Sequence, residues 1–150
     1  MIVKDEYREQ IRLMATGRGQ DASELNAALP AEDRVPFNQF LSGVFAVLMD
    51  RHFKDNLNRD TLAEFSAELC RNYQNSGLKI RPLTVEGILR GSAGETHLLE
   101  GISADEIIGV QVLVIAKIAA EDPAVSSGIE QFLDEAEELV AQWEQEPGDS

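Results

Sequence analysis

The chain has 150 residues, a single cysteine, 43% apolar residues and a net charge of −14. That length suits one domain with its own hydrophobic core. The lone Cys70 excludes an internal disulfide, and the acid excess argues against a general nucleic-acid binder, whose affinity rests on neutralising phosphates.

The opening residues lack the apolar centre of a signal peptide, and the longest mostly apolar run, 40 to 49, is too short to span a bilayer. A cytoplasmic chain with no membrane partner is therefore expected. Val3, Tyr7, Ile11 and Met14 recur at helical spacing and predict a first amphipathic helix over 3–15. "TGRGQDAS" breaks it, and a short helix near 23–29 ends before Pro30. From Pro36 to Phe53 the residues Phe37, Phe40, Leu41, Val44, Phe45, Leu48, Met49 and Phe53 form one apolar stripe. His52 lies beside that stripe and reads as a packed or rim histidine rather than a ligand.

Thr61 and Glu64 have capping-box spacing, with Asp60 as the alternative cap. Leu62, Phe65, Leu69 and Tyr73 continue that helix, with Gly77 placed to stop it. Cys70 falls next to Leu69 and reads as a small buried hydrophobe. Arg81 precedes a proline and is expected to be extended. Leu83 to Arg90 makes two helical turns. Ser103 and Glu106 form a second capping box before the run Ile107–Ala119, which is apolar on nearly every side. A buried strand is the alternative for that run, but its cap and length favour a central helix. Asp122-Pro123 ends it. Ser127 and Glu130 suggest a third box, and Ile129, Phe132, Leu133, Ala136, Leu139, Val140 and Trp143 make a final amphipathic helix. The expected fold is an all-α, single-domain helical bundle over 1–145, with about five main helices plus short ones. Residues 146–150 are expected to form a disordered tail.

Two segments invite a functional reading. The first is "GILRGSAGETHLLEG", 87 to 101, rich in glycine. It has no lysine for a Walker loop and follows a helix rather than a strand, so neither nucleotide fingerprint fits. "GRGQDA", 17 to 22, matches Gly-x-Gly-x-x-Ala but also follows a helical pattern. An ordinary joint is the leading reading of both. The alternative is a small anion held by backbone N–H groups of Gly91 to Gly94 with Arg81, Arg90 and His97, as an anion-binding protein or an enzyme would need. Over 71–90, Arg71, Lys79, Arg81 and Arg90 face only Glu86, a local positive excess whose connection is too long for a helix-turn-helix.

The second segment is the acidic C-terminal helix. Residues 1–90 are nearly balanced, with 12 basic and 13 acidic side chains, whereas 91–150 carry Lys117 against 14 acids. Glu130, Asp134, Glu137 and Glu138 crowd like charges at helical spacing, which opposes the helix locally. Three settings offset this. Lys4, Arg8 and Arg12 form a basic strip on the first helix that would attract the acids. A protein partner with a basic surface would dock on them, with a self-associating variant of the same idea. Solvent alone would hydrate them. The favoured function is a protein-interaction module presenting this acidic face; no cofactor, metal site or catalytic set is expected.

Overall fold

The computed structural model describes residues 3–74 and 80–145, and the fold is all-α, with eight helices and no strand among the described residues. Helix α1 (Asp5–Ala15) buries Tyr7, Ile11 and Met14 at the expected spacing and carries Arg8 and Arg12 on another side. It ends at Gly17, where φ of +80° favours a residue without a Cβ. Helix α2 (Gly19–Ala27) begins four residues before the expected start, because the Arg18 carbonyl accepts from Ala22 and its side chain pairs with Asp21 at 2.6 Å.

A 3₁₀ turn at Ala31–Asp33 leads into α3 (Arg34–Phe53), the axis of the molecule. Phe40, Leu41, Val44 and Leu48 on α3 are fully buried. Tyr7 donates to buried Asp33 at 2.6 Å and Lys4 reaches the same carboxylate at 2.8 Å, which ties α1 to the turn. Burial, with the Asp33 hydrogen bond, pushes the Tyr7 hydroxyl up to about 12.

Helix α4 (Arg59–Asn72) is capped by Asn58, not by Thr61 or Asp60: the Asn58 side chain accepts from the Thr61 N–H at 3.0 Å, and the Thr61 hydroxyl accepts from the Asn58 N–H. A short polar run offers several side chains able to cap, and the chain's exit from α3 selects the first of them. Gly77 lies outside the described residues, as does the 146–150 tail. Arg81 is extended, and Pro82 opens α5 (Pro82–Ser92) at its first turn, where a missing N–H costs nothing. A 3₁₀ turn at Thr96–Leu99 follows.

The apolar run forms helix α6 (Ala104–Glu121), capped by Ser103, whose hydroxyl accepts from Glu106 at 3.2 Å. Asp122 caps a short α7 (Pro123–Ser127). Ser127 closes α7 by donating to the Pro123 carbonyl at 2.6 Å, so it does not cap the next helix as its spacing suggests. The last helix, α8 (Ile129–Gln145), packs along α3. Arg51 sits over the Phe132 ring while Gly43 faces Ala136 and Val140, so α3 and α8 run antiparallel. A Cβ on Gly43 would lie 2.7 Å from Val140 Cγ2, so the two helices approach closely here. Helix α6 covers another side of α3, and α1 bridges α6 and α8. No helix among the described residues is long and apolar enough to cross a membrane.

Candidate functional site

The acidic helix is largely answered from within the chain. The Arg8 guanidinium lies 3.0 Å from Glu130, 3.0 Å from Asp134 and 3.1 Å from Glu137. Arg12 grips Glu130 with two bonds, at 2.6 and 3.0 Å. The Arg12 hydrogen bond, joined by Arg8, holds the Glu130 carboxyl down at about 2 against the cost of its partial burial. The α1 strip thus meets the α8 strip side by side, except that Lys4 turns to Asp33. Glu138, with Glu135, stays on the exposed side of α8.

The glycine segment does not assemble into an anion cradle. Gly91 belongs to α5 and is buried, with Leu99 packed where its Cβ would be. Gly94 adopts φ of +132° in open space and serves as the turn. Arg90 donates twice to Glu95 at 2.7 Å and once to Glu86 at 3.2 Å. Its charge is already matched by two carboxylates, which hold its proton more tightly than usual. His97 sits on the exposed 3₁₀ turn, and Arg81 stands apart at the other end of α5. The five residues proposed to share one anion are therefore not brought together.

Two groups gain importance only in three dimensions. Lys117 is buried, yet its ammonium meets Glu68 at 2.9 Å, the Asn72 side chain at 3.1 Å and Glu121, above the Phe65 ring. Burial pulls its pKa down, but the bonds to Glu121 and Glu68 outweigh that, so it stays charged. His52 packs edge-on against Phe53 and Phe65 at 4.8 and 5.3 Å, as a packed histidine should.

The other is a groove of about 1280 Å³ between α4, α5 and α6. Helix α4 lends Ala67, Cys70 and Arg71; the entry to α5 lends Ile80, Arg81 and Val85. Gly109, Val112 and Leu113 of α6 form the facing wall, with Glu106 as its carboxylate. Cys70 is thus half-buried against a groove rather than sealed in the core, and burial pushes its thiol up. A helix that is apolar all round is normally covered all round. Here α6 buries Val114, Ile115 and Ile118, while Val112 and Leu113 are left half-exposed on the open side. Two features of the sequence pointed here: the apolar girth of 107–119 and the basic excess over 71–90.

The charge around the groove departs from the rest of the molecule. Arg8, Arg12, Arg18, Arg34, Arg51, Arg59 and Arg90 each have a polar or acidic side-chain partner. Arg71 and Arg81 have no ion pair or side-chain hydrogen bond among the described residues, and both are exposed on this one groove. Arg71 adds only a minor through-space pull on Glu68, whose hydrogen bond goes to Lys117. Comparison with known proteins finds no matching family, curated protein or solved structure.

Proposed function

We propose that this chain is a protein-docking module whose seat is the α4/α5/α6 groove, where a partner lays the apolar face of a short helix. The observation that carries this reading is α6 itself, apolar on nearly every side over 107–119 yet left open along Val112 and Leu113. Size favours a helix over a small molecule. Ligand pockets typically enclose roughly 300–1,000 Å³, and the groove exceeds that range. A helix about 10 Å across that filled it would be roughly 16 Å long, or about three turns. Such helix-in-groove docking uses apolar anchors at i, i+3, i+4 and i+7.

The competing surface is the acidic face of α8, which would take a basic partner. Arg8 and Arg12 already pair with Glu130, Asp134 and Glu137, which leaves Glu135 and Glu138 as the exposed acids of that stretch with no ion pair among the described residues. A displayed library of amphipathic peptides tests the two directly. Binders recovered on the intact chain are mapped by amide chemical shifts. The expected footprint covers Ile80, Val85, Val110, Val112 and Leu113, and Val112→Asp should abolish binding while leaving the helical spectrum unchanged. A footprint along α8, made by basic peptides that ignore Val112→Asp, would replace this reading with the acidic-face one.

A further inference from the structure

Resting on that docking reading, we propose that Arg71 and Arg81 select the partner by charge: the docked helix carries acidic side chains beside its apolar stripe. The chain as a whole is strongly acidic, so a general field would repel such a helix. That field is short-ranged, because the Debye length at physiological salt is about 8 Å. What a docked segment meets at contact distance is the groove's own set: among its described lining residues, two guanidiniums against the single carboxylate of Glu106. Three acids of the same helices and the turn after α5 are engaged: Glu68 with Lys117, and Glu86 and Glu95 with Arg90. In a chain where the other seven arginines have found partners, two arginines with no ion pair or side-chain hydrogen bond among the described residues, on one apolar groove, form a complementary site for carboxylates. Arginine suits this task, since its planar fork takes a carboxylate with two bonds. A second copy of this chain is a less fitting occupant, because two copies bring two strongly acidic bodies together.

Three synthetic peptides of about 15 residues, long enough to hold helical structure on binding, share one leucine stripe and differ in their polar face: Glu, Gln or Lys. Their affinities for the full chain are read by fluorescence anisotropy at low and high salt. An exposed ion pair is worth up to about fivefold in affinity. The Glu peptide should therefore bind roughly tenfold tighter than the Gln peptide, with the Lys peptide weakest. High salt should shrink the gap, and Arg71→Gln with Arg81→Gln should close it without weakening the Gln peptide. Both arginines are exposed, so the variant keeps its fold. Equal affinity for all three peptides would overturn the charge selection and leave the docking seat standing. Failure of all three to bind would overturn both. Two further results would overturn the choice of occupant: competition of dodecanoate with the Glu peptide at equal affinity, or a concentration-dependent dimer of the chain abolished by the double variant.

Discussion

Gly43→Ala tests the α3/α8 seam on which the rest of the bundle rests. The added methyl would lie 2.7 Å from Val140 Cγ2 and 3.3 Å from the Ala136 carbonyl oxygen. Comfortable contact between carbons is about 3.5–4.0 Å, so the helices must part by most of an ångström or Val140 must leave its rotamer. Val140 is β-branched and nearly restricted to one rotamer in a helix. It is also 3% exposed, so it has nowhere to turn. Overpacking of this kind costs about 1–3 kcal/mol. The better helix propensity of alanine returns up to about 1 kcal/mol. The net expectation is a loss of about 1 kcal/mol, or a midpoint lower by roughly 2–4 °C. Val140→Ala removes the obstructing methyl, and in that background Gly43→Ala should become neutral or stabilising. Urea unfolding of the four members of this cycle, at constant m-value, gives the coupling. If Gly43→Ala stabilises by about 1 kcal/mol in both backgrounds, only propensity is at work, and the close approach of α3 and α8 is refuted.

Glu130 has a folded-state pKa near 2, below its ordinary 4.5, so its contribution is complete above about 4.5 and is lost as pH falls through about 2. The shift alone equals roughly 3 kcal/mol, but the side chain is 55% exposed and solvent screening reduces this to about 1 kcal/mol. Glu130→Gln should therefore destabilise by about 1 kcal/mol at neutral pH and by only a small part of that near pH 2, measured by urea midpoints; a pH-independent difference would count against the clamp. At Lys117, Met and Ala should behave differently. Lys117→Met keeps the packing on Phe65 and lets the half-exposed Glu68 and Glu121 rehydrate, so it should cost under about 1 kcal/mol; Lys117→Ala should cost about 2 kcal/mol or more through the space it leaves, as thermal melts would show. Gly91→Ala would put its methyl 2.5 Å from Leu99 Cγ and should destabilise by about 1–3 kcal/mol through overpacking, whereas Gly94→Ala has open space around it and should cost about 1 kcal/mol or more through its φ of +132° alone; thermal melts of the two variants check this. Inorganic phosphate should shift the melting of wild type and Arg90→Ala alike, because Arg90 is already engaged by Glu86 and Glu95.

Local periodicity was enough to identify the long helices, though not the short α7 or the start of α2. Tyr7, Ile11 and Met14 mark α1, the Phe37–Phe53 stripe marks α3, and the Ile129–Trp143 stripe marks α8, because a 3.6-residue repeat is a property of neighbours along the chain. The matching four-residue repeats of Arg8 and Arg12 and of Glu130 and Asp134 likewise foreshadowed the α1/α8 contact. Choices among near neighbours were less legible. Asn58, Asp60 and Thr61 are all able to cap α4, and only the path of the chain out of α3 selects Asn58. Lys4 continues the basic strip in sequence, but a turn 29 residues later offers it the buried Asp33.

The candidate site was the least legible feature. Arg71 and Arg81 belong to a basic excess visible along 71–90, and Arg90 looks like their equal there. What separates them is Glu95, which folds back onto Arg90 through the turn after α5, while no carboxylate among the described residues pairs with the other two. Composition and spacing determined that this chain forms amphipathic helices, which of their faces are apolar, and that its acids gather toward one end. Tertiary structure alone decided which charges neutralise one another and which side of α6 stays open, because both depend on distances between segments that are far apart along the chain.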